Sequence, residues 1–148
     1  MKATSDKHRA ARDAGFDLAK VLLVDDDPTS RLTLKTVLEA GGYRVDCAAS
    51  AAEAVDKLGE REYELVLSDM QMESPQAGLK VLAHARIMDY KPAVALVTAQ
   101  SNNETAGNGN RVLIRPLDIP DLLGKVADLI GARATRRVHR ELKLAGIA

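Results

Sequence analysis

The stretch VLLVDDDPTSR, residues 21–31, runs four apolar residues directly into three consecutive aspartates, a proline and a threonine. An unbroken apolar run of this length is typical of a strand that is covered on both faces of a parallel sheet. Asp27 followed by Pro28 is typical of a helix start, because Asp caps free backbone N–H groups and Pro fits the first helical position. The stretch therefore predicts a buried strand, a turn rich in carboxylates, and a helix.

The same alternation of short apolar runs and helical patterns continues along the chain. Further strands are predicted at Tyr43–Cys47, Leu65–Leu67, Val94–Val97 and Val112–Ile114. Helices are predicted from Pro28 to the Gly41-Gly42 pair, after Ser50, from about Gly78, and from near Asp118. This order predicts an α/β fold with a doubly wound, five-stranded parallel sheet. We place this domain at residues 19–131, between a polar N-terminal extension (1–18) and an arginine-rich C-terminal extension (132–148).

The connection between the fourth and fifth strands departs from this alternation. Residues 99–111 contain six Asn or Gly among 13 residues. Asn and Gly are poor helix formers, and a helical crossover with its turns needs about a dozen residues or more. The sequence therefore predicts a shortened or missing fourth helix.

Composition limits the class of protein. The chain has 148 residues, a formal net charge of zero, 46% hydrophobic residues and one cysteine, Cys47. No global field favours DNA or a membrane surface as a partner, and a lone cysteine cannot form an internal disulfide. Residues 1–18 lack the apolar stretch of a signal peptide. We expect a soluble cytoplasmic protein that binds neither DNA nor membranes.

Polar residues follow the strands at the edge where doubly wound sheets bind ligands. Asp25 and Asp26 follow the first strand, Asp69 the third, Thr98 the fourth and Arg115 the fifth. Three carboxylates suit Mg2+, and a neighbouring hydroxyl and cation suit a phosphoryl group. A carboxylate beside a metal can attack phosphorus and form an acyl phosphate. A solvated helix N-terminus would also favour acidic residues, but it would not explain the other three positions.

The four motifs VLLVDDDPTSR, LVLSDM, ALVTA and VLIRP, in this order, resemble those of a CheY-like response-regulator receiver domain over about residues 20–131. The resemblance implies that Asp69 is the phosphoacceptor for a histidine kinase or phosphotransfer protein. It implies that Asp25, Asp26, Asp69 and the backbone carbonyl of Gln71 bind Mg2+, with Asp25 acting through water.

The resemblance also implies that Thr98 and Arg115 contact the phosphoryl group. Arg115 stands where the family has a lysine, and these two cations are not interchangeable. Val112 stands where the family has an aromatic switch residue, so we do not expect the usual switch. Glu73 stands where the family usually has proline. We assign Asp27, the third acid, to a helix cap.

A second candidate site lies in the C-terminal extension. Residues 133–143 carry five Lys or Arg and one Glu. In a helix, one face would carry Arg133, Arg136, Arg137 and Arg140. Arginine is suited to bidentate contacts with phosphate and guanine, although a solvated helix end is the plainer alternative. With its RxxxR pattern and weak fourth helix, the chain resembles the Cle subgroup of CheY-like proteins, which implies cyclic di-GMP binding and docking to the flagellar motor switch.

Three functions remain open on the sequence. The first is an adaptor that binds cyclic di-GMP through the arginines and has a phosphorylatable Asp69. The second is a receiver controlled by phosphorylation alone, without nucleotide binding. The third is a small phosphatase, because Asp25, Asp27 and Thr29 match the DxDxT opening of haloacid-dehalogenase-like enzymes. That family needs a later acidic pair, which the chain lacks after Val97, so we expect a protein that is not an enzyme.

Overall fold

The computed structural model describes residues 19–69, 72–74, 76–97, 113–114 and 119–146. Several predictions lie outside these residues. They concern the N-terminal extension 1–18, Gln71, Thr98, Val112, Arg115 and the shortened helix at 99–111.

Five parallel strands form the sheet. They are β1 (Lys20–Val24), β2 (Arg44–Ala48), β3 (Leu65–Asp69), β4 (Ala93–Val97) and β5 (Leu113–Ile114). Their order in the sheet is β2-β1-β3-β4-β5, and every neighbouring pair is parallel. This is the strand order of flavodoxin-like folds, so the predicted fold class is confirmed.

Four helices accompany the sheet in the described part of the chain. They are α1 (Pro28–Ala40), α2 (Ala51–Glu60), α3 (Ala77–Arg86) and α4 (Ile119–Leu144). Local capping explains where the first two begin: Asp27 Oδ2 accepts the Ser30 N–H at 3.0 Å, and Ser50 Oγ accepts the Glu53 N–H at 3.1 Å. Gly42, at φ 98°, follows the end of α1, where its lack of a side chain permits that conformation. The last helix passes through residue 131 without a break.

The core has one layer on each face of the sheet. Alternate residues of a strand point to opposite faces. On one face the strands pack against α1 and α4, with Val21, Leu23, Leu34, Leu38, Leu67, Leu122 and Val126 among the buried residues. On the other face they pack against α2 and α3, with Leu22, Val24, Ala54, Leu58, Val66, Val81 and Ala85 among the buried residues. Because both faces are covered, residues 21–24 are all apolar.

The first turn of α3 lies close to the end of β3. A Cβ atom on Gly78 would lie 2.6 Å from the backbone oxygen of Asp69, which is closer than van der Waals contact permits. Glycine therefore allows α3 to approach the strand end that carries one of the candidate site residues.

This contact predicts opposite effects for two Gly→Ala substitutions in helices. We expect Gly78→Ala to lower the free energy of unfolding by about 1–3 kcal/mol, because the added methyl group displaces Asp69 or α3. Gly124→Ala is the matched control, since a Cβ there meets nothing within 4 Å, and it should raise stability by up to about 1 kcal/mol. Urea denaturation measures both, and equal stability of Gly78→Ala and the parent chain would contradict the packing argument.

Candidate functional site

Three carboxylates converge at the carboxyl edge of the sheet. Asp25 and Asp26 directly follow β1, and Asp69 ends the neighbouring strand β3. One carboxylate oxygen from each residue lies within 4.8 Å of the other two. Asp25 is 1% exposed, Asp69 is half-buried and Asp26 is exposed. The structure therefore brings together the three acidic side chains that the sequence placed at this edge.

The backbone around Asp25 fixes its position. Its N–H donates to the Ala48 carbonyl at 3.0 Å, and its own carbonyl accepts from Arg31 Nη1 at 2.8 Å. Its Oδ1 accepts the Asp27 N–H at 3.0 Å. A buried carboxylate is stabilised by such bonds. Asp25 is therefore held in place while two further carboxylates approach it from the solvent side.

This donor set fits a small divalent cation. Like charges at this separation repel, and a cation relieves the repulsion. Mg2+ binds oxygen at about 2.0–2.1 Å, so two of its ligands lie at most about 4.2 Å apart. Oxygens that lie within 4.8 Å of one another are compatible with direct coordination and with a water between the metal and one carboxylate. The residues present suit hard-oxygen coordination of this kind.

Asp27 has a different position from its two neighbours. Its Oδ2 caps α1 through the Ser30 N–H, and its side chain is outside the group of converging carboxylates. The helix-cap role assigned to it from the sequence agrees with this hydrogen bond. Of the three consecutive aspartates, Asp25 and Asp26 belong to the group of converging carboxylates, and Asp27 caps α1.

Glu73 has a contact that sequence reasoning did not anticipate. Its Oε1 accepts the Ala51 N–H at 2.8 Å, across 22 positions of sequence. The same helix start is capped locally, because Glu53 Oε2 accepts the Ala49 N–H at 3.0 Å. Glu73 therefore ties the loop that follows Asp69 to the N-terminus of α2. The sequence showed only that an acid stood in an unusual place.

Comparison with known proteins agrees with this geometry. The pattern of the response regulator receiver domain family matches residues 21–125. The chain belongs to this family. The match covers β1 through the first part of α4 and includes all three converging carboxylates.

Individual known proteins are similar to this chain over most of its length. The transcriptional regulatory protein ZraR of Escherichia coli O157:H7 is 32% identical over 111 residues, which are 72% of this chain and 25% of ZraR. The chain thus spans only a fraction of the length of the curated relatives it first matches. Among solved structures, the response regulator TrrA from Thermotoga maritima, in complex with Mg(2+)-BeF, has 29% identity and a TM-score of 0.66 over 76% of this chain and 99% of its own. The chemotaxis response regulator CheY4 of Vibrio cholerae has 25% identity and a TM-score of 0.63 over 76% and 98%.

Within the described part of the receiver, none of the helices has both the length and the hydropathy needed to cross a membrane.

The four arginines of the C-terminal extension line a single cavity. It has a volume of about 460 Å3 and is bounded by Arg133, Arg136, Arg137 and Arg140 of α4 and by residues at the turn between α3 and β4. The structure therefore brings together the second set of predicted site residues as well. That turn precedes β4, so the cavity lies toward the amino ends of the strands. With strands of five residues, or about 16 Å, the cavity and the acidic site are at opposite edges of the sheet.

Arg133 differs from the other three arginines. It is 8% exposed; its Nε donates to the Lys91 carbonyl at 3.0 Å and its Nη2 to the Tyr90 carbonyl at 2.7 Å. Burial lowers the pKa of this guanidinium, an effect that Glu64 partly offsets. Arg133 therefore joins α4 to the turn.

The other three arginines, Arg136, Arg137 and Arg140, are exposed on the C-terminal half of α4. Arg137 forms an ion pair with Glu141 at 3.4 Å, with both side chains more than half exposed. Such a surface pair contributes little to stability. Arg136, Arg137 and Arg140 are accordingly accessible to a ligand.

The different positions of these aspartates predict which of them affect the affinity for a divalent cation. We expect Asp26→Asn and Asp69→Asn each to weaken Mg2+ binding about tenfold or more, because each removes a charged ligand. Asp27→Asn should leave the affinity unchanged, since Asn caps a helix as well as Asp does. Calorimetric titration with MgCl2 measures all three, and equal affinities for Asp26→Asn and Asp27→Asn would contradict the assignment.

Proposed function

We propose that this receiver is a signalling adaptor whose Asp69 accepts a phosphoryl group from a histidine kinase or phosphotransfer protein. The observation that carries the proposal is the convergence of Asp25, Asp26 and Asp69 at one edge of the sheet. Mg2+ held by these residues and the backbone carbonyl of Gln71 would neutralise charge on the incoming phosphoryl group. The complex of the related TrrA with Mg(2+)-BeF supports this assignment.

The chemistry at Asp69 is a direct transfer. A carboxylate oxygen of Asp69 forms a bond to phosphorus while the bond from phosphorus to one nitrogen of the donor's imidazole breaks. With the other ring nitrogen protonated, the imidazole leaves in its neutral form and Asp69 becomes an acyl phosphate. Asp25 and Asp26 lie beside it and would hold the metal. Thr98 and Arg115 are proposed to contact the phosphoryl oxygens, as the family resemblance implies.

The adaptor is proposed to have no enzymatic activity toward other substrates. In the alternative phosphatase, Asp27 would act as a general acid. Its carboxylate instead accepts the Ser30 N–H at the start of α1. This hydrogen bond supports the helix-cap role of Asp27 over the role of a general acid.

We further propose that the arginine cavity binds cyclic di-GMP and that the adaptor docks the flagellar motor switch in response. The observation in favour is that four arginines line one cavity and that three of them are exposed. Guanidinium groups form paired hydrogen bonds with phosphate and with the O6 and N7 edge of guanine. A receiver controlled by phosphorylation alone would leave this arrangement without a ligand.

Phosphorylation is tested with a small phosphodonor. Incubation with acetyl phosphate and Mg2+ should add the mass of one phosphoryl group to the parent chain and to Asp27→Asn. Asp69→Asn should remain unmodified, because it lacks the nucleophile. Intact-mass spectrometry measures the result, and modification of Asp69→Asn to the same extent would overturn the role of this residue.

Nucleotide binding is tested by calorimetric titration of cyclic di-GMP at a stated salt concentration. We expect a dissociation constant in the low-micromolar range and its loss in Arg136→Ala/Arg140→Ala. The matched variant Arg136→Lys/Arg140→Lys keeps the charge but loses the bidentate geometry, and it should bind at least about tenfold more weakly than the parent chain. Absence of heat with the parent chain at tens of micromolar would leave phosphorylation as the proposed input.

A further inference from the structure

The arginines of α4 form one wall of the arginine cavity, and a different part of the chain forms the opposite wall. It is formed by Arg86 at the end of α3, by Asp89 and Lys91 in the turn between α3 and β4, and by Glu62, which precedes β3. These four side chains are exposed. None of them is among the four arginines of α4. A ligand in the cavity would therefore lie between two parts of the chain that are far apart in sequence.

The turn is fixed before any ligand arrives. Lys91 has φ 46°, an uncommon and costly conformation for a residue other than glycine. The two hydrogen bonds from Arg133 hold the carbonyls of Tyr90 and Lys91. The Tyr90 hydroxyl donates to the Leu58 carbonyl at 3.0 Å, and burial raises the pKa of Tyr90 to about 12. The turn is thus anchored to both α4 and α2, and ligand binding need not order it.

Positive charge is concentrated around the cavity, although the formal net charge of the chain is zero. Arg86 and Lys91 join the four arginines of α4, so six cations and two carboxylates border one volume of about 460 Å3, whereas the whole chain has a formal net charge of zero. A ligand with more than one phosphate charge would be stabilised from both walls.

The two carboxylates require a different explanation. In the described part of the chain, neither Glu62 nor Asp89 forms an ion pair with the cations around the cavity. A carboxylate accepts hydrogen bonds only, so it fits a ligand edge with adjacent N–H donors. Guanine presents such an edge through N1–H and its amino group, whereas adenine has an acceptor at N1. The carboxylates therefore favour guanine over adenine.

We infer that the cavity is a composite site for a guanine-bearing phosphodiester, in which Arg86 and Lys91 bind phosphate and Glu62 and Asp89 bind the guanine edge. The inference rests on the proposed binding of cyclic di-GMP. It adds four binding residues outside α4 and a source of base specificity. The three exposed arginines of α4 supply affinity for phosphate, and the opposite wall supplies both further affinity and selection.

The test is calorimetric titration of cyclic di-GMP and cyclic di-AMP into the full chain and its variants. Arg86→Gln and Lys91→Asn should weaken binding of cyclic di-GMP about fivefold or more, and Asn tolerates the positive φ of position 91. Glu62→Gln and Asp89→Asn should reduce the preference for cyclic di-GMP over cyclic di-AMP about fivefold or more. Lys80→Gln removes an exposed cation of α3 outside the cavity and should change neither affinity.

The outcomes separate the two proposals. If the parent chain binds no cyclic di-GMP, the proposed nucleotide function fails and the inference fails with it. If the parent chain binds and Arg136→Ala/Arg140→Ala does not, while Arg86→Gln and Lys91→Asn bind as tightly as the parent, only the composite site is overturned. An unchanged preference in both Glu62→Gln and Asp89→Asn would overturn the recognition of guanine by these carboxylates.

Discussion

The parallel arrangement of all five strands is the constraint on which both candidate sites depend. Parallel strands place every carboxyl end at one edge of the sheet and every amino end at the other. Val24 pairs with Ser68, so the residues that follow each of them, Asp25 and Asp69, become neighbours at the carboxyl edge. An antiparallel pairing of β1 and β3 would separate these carboxylates by the length of a strand. The chemistry proposed for Asp69 is therefore a consequence of topology.

The features that the sequence predicted are those with local causes. Residues 21–24 are apolar without interruption because the strand is covered on both faces, and the first helix begins at Pro28 because Asp27 caps it. Ser50 marks the start of α2 in the same way. Strand ends differ from expectation by a residue or two, since pairing with a neighbouring strand decides where a strand stops. The acidic site was predictable because its residues follow strands that were expected to be parallel.

The features that the sequence did not reveal depend on contacts between distant residues. Arg133 and Arg136 look equivalent on a helical projection, but only Arg133 meets the carbonyls of the turn, 42 and 43 positions away. The bond from the Ala51 N–H to Glu73 spans 22 positions and joins the start of α2 to the loop after β3. The wall of the arginine cavity that includes Lys91 is likewise a product of tertiary packing. Thr98 and Arg115, outside the described residues, remain predictions from the family resemblance.

The hydrogen bonds of Arg133 also set the point at which α4 is held to the rest of the domain. Arg133 is the last buried residue of this 26-residue helix, and residues 134–144 beyond it are exposed. At 1.5 Å per residue, these last three turns extend about 16 Å beyond Arg133, which is bonded to the turn before β4. A rotation of the helix by about 10° about Arg133 would move its C-terminal end by roughly 3 Å, on the order of a hydrogen-bond length. A small change in the angle at which Arg133 holds α4 would thus become a larger displacement at the end of the helix.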